Sequence, residues 1–243
     1  TVAGALCGTR VPLGILPTGT LNHFARDLGI PLEIHAAAAV LREQHCVTVD
    51  VGRVNGRTFI NNASLGHYVW AVRHRERGRG LFGWRKWPAM ARAAVLTFRR
   101  LPMLELSIGV NGETLVRKTP QVVIGNNAYE LDLFSAGRRT CLTDGELSLY
   151  VADTQTRWGI IKLVLRGIFN RLNESRDFHC YTTKSLVIDS KRSRMHMALD
   201  GEVVEVEPPL KFEVQPAALR VMASKPRETE GSPETSPPPR QAG

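Results

Sequence analysis

No run of about 18 apolar residues occurs anywhere in the chain, so nothing in it reads as a helix crossing a bilayer. Cysteine is scarce. Cys7, Cys46, Cys141 and Cys180 are scattered, with no C-x-x-C pair and no histidine at ligand spacing, and they read as reduced structural thiols of a cytosolic protein. The seven histidines form no H-x-x-x-H or similar cluster, and no G-x-S-x-G elbow is present, which excludes the common zinc hydrolase and serine hydrolase layouts. Acids are also short. There are 23 Asp and Glu against 32 Lys and Arg, a formal charge of +9, and this excess suits an anionic partner such as a membrane surface, a nucleotide or nucleic acid. With 43% apolar residues, 243 residues can bury one large core or two modest ones.

What the chain does have is organised around Pro12–Gly29, PLGILPTGTLNHFARDLG. Leu13, Ile15 and Leu16 form a short apolar run fenced by Pro12 and Pro17, the pattern of a buried strand. Thr18-Gly19-Thr20 then turns the chain, and Gly19 has no Cβ to keep a ligand from its backbone. Thr20 fits an N-cap, Leu21, Phe24, Ala25 and Leu28 follow on one helical face, and Gly29 and Pro31 stop the helix. Strand, glycine turn and helix N-terminus together suit a phosphate, and they equally suit an ordinary βα turn. Asn22 either contacts the nucleotide or ties the loop through its side chain. Thr1–Leu6 reads as a helix end stopped at Gly8, and His35–Glu43 as a second short helix rich in alanine.

From Cys46 onward the texture becomes β. Val47, Val49 and Val51 alternate with Thr48, Asp50 and Gly52, the period of a half-buried strand, and Asn55-Gly56 turns it into a partner over Arg57–Asn62. Leu104–Val110 with Asn111-Gly112, and Met195–Leu199 with Asp200-Gly201, repeat that grammar. Further runs are Gln121–Ile124, Glu146–Val151, Ser185–Ile188, Val203–Val206, Leu210–Val214 and Leu219–Met222. So many short strands predict an antiparallel sandwich. Two helical insertions interrupt it. Gly159–Leu172 fits a helix packed on a sheet. Trp70–Leu101 contains nine Lys/Arg against one acid between Arg73 and Arg100, together with Trp84 and Trp87, and suits either an anionic bilayer surface or a solvated basic face. Ser224–Gly243 is rich in Pro, Ser and Glu and is expected to be disordered.

PTGTLNHFARDLGIP resembles the second nucleotide-loop motif of lipid kinases with a diacylglycerol-kinase-type catalytic domain, a group that includes sphingosine and ceramide kinases. The resemblance recurs in order at Asn61–Gly66, Asp144-Gly145 and Asp200-Gly201-Glu202 and covers roughly residues 1–222. It implies an α+β, two-domain protein: a partial α/β nucleotide-binding domain of NAD-kinase type over residues 1–45, then a β-sandwich over 46–222 with helical insertions, then a tail over 223–243. It implies ATP as phosphoryl donor, with Gly19, Thr20 and Asn22 at the nucleotide. Glu202 would be the proton acceptor, with Asp200 supporting it. Mg²⁺ would be held by the Asp144 side chain and the main-chain carbonyls of Cys141 and Glu146. It also implies a lipid substrate and a cytoplasmic protein in peripheral contact with anionic membrane. Two departures are visible. His23 stands where the family often carries Asp, and the family's Gly-Gly-Asp-Gly-Thr loop is expected upstream of Thr1. The corresponding expectation is that residues 1–243 alone keep a folded β-domain but bind ATP poorly and turn over no lipid, and that roughly 60–80 further upstream residues restore both. Without neighbouring parallel strands, Leu13, Ile15 and Leu16 should also remain partly wet.

Two other readings compete. A nucleotide-cofactor kinase related to NAD kinases shares the nucleotide-domain signature but leaves the basic, Trp-containing insertion unused. A non-enzymatic basic module could bind anionic lipid. Nucleic acid is disfavoured because no RNP-type or helix-turn-helix pattern is present.

Overall fold

A computed structural model describes residues 1–19, 22–66, 103–129, 139, 141–152, 154, 159 and 178–225. Thr20 and Leu21, the basic segment Arg73–Arg100, all but one residue of the expected helix at 159–172, and residues 226–243 lie outside the described residues.

Three short helices come first: α1 (Val2–Leu6), α2 (His23–Asp27) and α3 (Ile34–Glu43). Gly8 and Gly29 end the first two turns at φ 73° and 68°, the left-handed values at which glycine carries no Cβ penalty. Glu33 caps α3 by accepting from His35 N and Ala36 N at 2.9 and 2.6 Å. Among the described residues twelve strands follow: β1 (Cys46–Val54), β2 (Arg57–Phe59), β3 (Asn62–Gly66), β4 (Leu104–Val110), β5 (Glu113–Thr119), β6 (Gln121–Asn126), β7 (Leu147–Ala152), β8 (Phe178–Thr183), β9 (Ser185–Asp189), β10 (Met195–Leu199), β11 (Glu202–Val206) and β12 (Leu210–Met222).

The strands form two six-stranded antiparallel sheets, ordered β2-β1-β12-β9-β4-β5 and β11-β10-β3-β6-β7-β8. Alternation along the strands sends one set of side chains into the space between the sheets. Leu104, Leu106, Ile108 and Val110 of β4 meet Val122 and Ile124 of β6, Leu147 and Leu149 of β7, and Met195 and Met197 of β10. Three of the four Asx-Gly pairs turn a hairpin with both residues at positive φ: 44° and 81° at Asn55-Gly56, 50° and 82° at Asn111-Gly112, 48° and 89° at Asp200-Gly201. The α+β class with an antiparallel sandwich, read from the sequence, is the architecture found.

A second apolar cluster joins the helices to the sandwich. Phe24, Ala25, Leu28, Ala37 and Val40 pack on Val49 and Val51 of β1 and Leu219 and Val221 of β12. The β1–β12 ribbon therefore serves both cores: Val54, Leu210 and Phe212 lie in the sandwich core, and the far ends lie under the helices.

Several expectations need correction. Pro12–Leu16 forms no full strand. Leu13 makes one parallel bridge to Val221, donating its N–H to Arg220 O at 2.8 Å and accepting from Met222 N at 3.0 Å. Leu16 is exposed, and Leu13 and Ile15 are half-buried. The N-cap of α2 is Asn22, at φ 49°, not Thr20. The partner strand of β1 breaks at Ile60–Asn61 into β2 and β3, which belong to different sheets. Leu210–Val214 and Leu219–Met222 are one 13-residue strand that passes through a bulge, with Ala217 at φ 49°. Phe178–Thr183, β8, is a further strand beyond the runs named from the sequence. Asp50 and Gly52, expected on an open face, are buried: the loop 142–145 covers Asp50, and the Phe59 ring lies where a Cβ on Gly52 would stand.

Candidate functional site

The bend Ile60–Asn61–Asn62, where the chain leaves one sheet for the other, has free backbone N–H groups that no strand partner takes. The Asp200 carboxylate takes them. Oδ2 accepts from Ile60 N at 2.9 Å, and Oδ1 accepts from Asn61 N at 2.7 Å and Asn62 N at 3.2 Å. Asp200 returns its own N–H to Asn62 O at 2.9 Å. Burial pushes the Asp200 pKa up, and the three N–H donors and the Arg139 cation pull against that shift. Asp200 is thus committed to holding the bend. Glu202, two residues on at the start of β11, is exposed, and its side chain has no hydrogen bond or ion pair among the described residues.

Arg139 holds the same bend from the opposite charge. Its side chain is fully buried, and Nε donates to Asp27 Oδ2 at 2.8 Å, forming an ion pair in which Asp27 is itself 3% exposed. Nη1 donates to Ile60 O at 2.6 Å and Asn126 O at 3.5 Å, and Nη2 donates to Asn61 Oδ1 at 3.1 Å. The guanidinium lies over the rings of Phe24 and Tyr129, 5.5 and 5.7 Å from their centroids. Burial pushes the Tyr129 phenol well above its ordinary range, and the Tyr150 hydroxyl pins the Tyr129 backbone, accepting from its N–H at 3.1 Å and donating to its C=O at 3.0 Å.

On the helical side, the expected nucleotide turn is closed by Asn22. Its Oδ1 accepts from Gly19 N at 2.9 Å, and its Nδ2 donates to Gly19 O at 2.8 Å and Pro17 O at 3.3 Å. Of the two roles open to Asn22, loop orientation is the one its side chain performs here. The Gly19 N–H is taken up by that contact. His23, half-buried beside it, has its pKa lowered first by burial, with Arg26 and Arg139 adding to that effect and Asp27 opposing it.

The Cys141–Glu146 loop is anchored from below by Asp50. Oδ2 accepts from Gly145 N at 2.7 Å, Oδ1 accepts from Ala217 N at 2.8 Å, and Asp50 N donates to Leu142 O at 2.9 Å. Asn126 links this anchor to the bend, with Nδ2 donating to Asp50 O at 2.8 Å and to Ile60 O at 3.0 Å. Glu146 O accepts from Asn127 N at 2.9 Å, so one of the two expected main-chain ligands already carries one hydrogen bond and keeps one lone pair. The Cys141 thiol is engaged within the loop with Thr143. Asp144 is exposed with no partner among the described residues. Among those residues no group of three His, Cys, Asp or Glu side chains is placed to hold a metal. A carboxylate with two carbonyls is an all-oxygen set that suits a hard, mostly hydrated cation such as Mg²⁺.

The three stretches singled out in the sequence are therefore joined in one polar network. Three of its joints, Asp50, Asn126 and Arg139, lie outside every quoted motif, and the fourth, Asp27, lies inside PTGTLNHFARDLGIP without being singled out there. Of the three outside, only Asp50 carries a hint, as a carboxylate set between valines in an alternating strand.

Residues 1–54 match the diacylglycerol kinase catalytic domain, and residues 62–223 match the YegS C-terminal NAD kinase beta sandwich-like domain. An uncharacterized protein of Synechocystis is 27% identical over 232 residues, 91% of this chain and 52% of its own length, so the chain spans about half of that relative. A diacylglycerol kinase of Staphylococcus saprophyticus is 47% identical over 57 residues, 24% of this chain and 19% of its own length. The crystal structure of a diacylglycerol kinase from Bacillus anthracis shares the fold, with TM-score 0.62 and 19% identity over 89% of this chain and 68% of that one. Among the described residues no helix is long and apolar enough to cross a membrane. Two consecutive domain matches spanning the helices and the sandwich carry one conclusion: the chain belongs to the diacylglycerol-kinase-like lipid kinase family.

Proposed function

We propose that the protein is an ATP-dependent lipid kinase that transfers the γ-phosphate of ATP to the hydroxyl of diacylglycerol or a related lipid at a membrane surface. In this reading the lipid hydroxyl oxygen attacks the γ-phosphorus, the bond from that phosphorus to the β–γ bridging oxygen breaks, ADP leaves, and Glu202 takes the hydroxyl proton. Asp200 holds the bend and so fixes the turn on which Glu202 stands. Gly19, Thr20 and Asn22 serve as the nucleotide-binding residues, with Asn22 shaping the turn. Asp144 and the carbonyls of Cys141 and Glu146 hold Mg²⁺, which supplies positive charge against the phosphates. The nine Lys/Arg between Arg73 and Arg100 attract an anionic bilayer, which supports a cytoplasmic protein in peripheral contact with the membrane. Residues 1–45 serve the nucleotide, residues 46–222 serve the lipid, and 223–243 form a tail.

The observation that supports this reading best is the division of labour within Asp200-Gly201-Glu202. One carboxylate is spent on three backbone N–H groups, and its neighbour is exposed with no partner among the described residues. A hairpin turn alone needs neither arrangement. Radiolabel transfer from ATP to a lipid panel tests the activity, and Glu202→Gln tests the assignment. Turnover should fall by about 10²-fold, the usual size of a lost acid–base group, while nucleotide affinity stays within a few-fold. A Glu202→Gln enzyme close to the parent in turnover refutes Glu202 as the base.

A further inference from the structure

We infer that Arg139 is a positioning residue that couples the nucleotide turn to the Asp200–Glu202 turn, an inference that rests on the phosphoryl-transfer reading above. A guanidinium is a planar fork of N–H donors, and here each of its three nitrogens is committed to a different direction. Nε holds Asp27 on α2, five residues after the Asn22 that closes the nucleotide turn. Nη1 and Nη2 hold Ile60 O and Asn61 Oδ1 on the bend, and Nη1 also reaches Asn126 O at the end of β6.

The bend is gripped twice. Ile60 gives its carbonyl to Arg139 and its N–H to Asp200, and Asn61 gives its side-chain oxygen to Arg139 and its N–H to Asp200. A displacement of α2 must therefore pass through the guanidinium to the bend, and from the bend to the carboxylate two residues before Glu202. The side chain is fully buried and its guanidinium carbon lies over the Phe24 and Tyr129 rings, 5.5 and 5.7 Å from their centroids, which leaves the fork little room to absorb that displacement.

Stability alone does not account for such an arrangement. A fully buried ion pair is generally no more stabilising than apolar side chains of the same volume, because both charges give up water. What it supplies is direction: a lysine in the same place keeps the charge but cannot address the three stretches at fixed angles. Sequence reading passes over Arg139 because it lies outside every quoted motif.

The test uses Asp27→Asn, which keeps the volume and an acceptor while removing the charge, with Arg139→Lys and Asp27→Glu beside it. Amide hydrogen exchange is read at Ile60 and Asn61, whose N–H groups are held by Asp200, and at Leu149 and Ile188 as sandwich-core references. In Asp27→Asn, exchange at Ile60 and Asn61 should rise about tenfold with the core references unchanged, although Asp27 touches neither amide. Lipid phosphorylation should lose about tenfold or more in kcat with KM for ATP within about threefold, and Asp27→Glu should recover part of the loss. Unchanged exchange at Ile60 and Asn61 overturns the inference. So does an equal rise at Leu149 and Ile188, which marks general loosening, and so does a change confined to KM. If Arg139→Lys does not fold, Asp27→Asn decides alone. Absence of lipid phosphorylation by the unsubstituted full-length protein defeats the proposed function, whereas the exchange measurement still decides the coupling.

Discussion

Replacing Asp50 by Asn changes one atom and should unsettle the joint between the two apolar cores. Asp50 sits at the register shift between Val49 and Val51, 2% exposed, with an N–H donor 2.7–2.8 Å from each carboxylate oxygen. An amide keeps one acceptor and turns an NH₂ toward the other donor. One charge-assisted hydrogen bond is lost, worth about 1.5–3 kcal/mol, and the remaining one is weakened. The N–H left facing the amide, of either Gly145 or Ala217, is unpaired at a cost of about 1–3 kcal/mol, less where water reaches it. A total of about 3 kcal/mol is a large share of the usual margin of about 5–15 kcal/mol. With a urea m-value of about 2 kcal/mol/M, the midpoint should fall by about 1.5 M and m should be unchanged. Equilibrium urea unfolding followed by circular dichroism reads this directly. A midpoint within about 0.3 M of the parent would show that water or local rearrangement replaces the carboxylate, and that Asp50 is not the anchor described.

Asp200→Asn carries a pH signature. Burial raises the Asp200 pKa above its ordinary 3.8, so the folded state favours the protonated acid, and the stabilising contribution is lost as pH rises from about 3.8 through the raised value. The stability difference, parent minus Asp200→Asn, should fall across that window in urea titrations at successive pH values; a flat difference contradicts the shift. Gly52→Ala would drive a methyl group into the Phe59 ring and should cost about 1–3 kcal/mol in thermal or urea unfolding, whereas an unperturbed Gly52→Ala protein would mean the ring moves freely aside.

The sandwich was legible because its signals are local. An Asn-Gly or Asp-Gly pair sets a hairpin by backbone preference, and alternation fixes which face is buried, so β1, β4 and β10 can be located from a few residues each. Legibility failed where a distant partner decides the outcome. Pro12–Leu16 has the composition of a buried strand, but one bridge to Val221 is all the pairing it finds, and composition carries no information about neighbours. Asp50 obeys the two-residue period and is buried nonetheless, because a loop almost a hundred residues later lies over it. β12 looked like two strands because a bulge at Ala217 interrupts the pattern that pairing with β1 restores.

The same distinction runs through the candidate site. Its motif residues stand out because each occupies a turn, and turns are written in short sequences. The residues that join those turns are ordinary Arg, Asp and Asn side chains whose partners lie far away in the chain: Arg139 and Asp27 are separated by 112 residues, and Asn126 and Asp50 by 76. A buried ion pair of that kind leaves no local trace, because neither member alone can be told from a surface charge. The pair is nevertheless what sets the geometry of the turns. Asp200 grips three consecutive N–H groups of a bend, and that bend is held from its other side by Arg139, so the orientation of the strand bearing Glu202 depends on a helix nearly 180 residues earlier in the sequence. A motif scan finds the carboxylates that could act; the bend that holds the Asp200-Gly201-Glu202 turn is fixed from its other side by Arg139, which no motif contains.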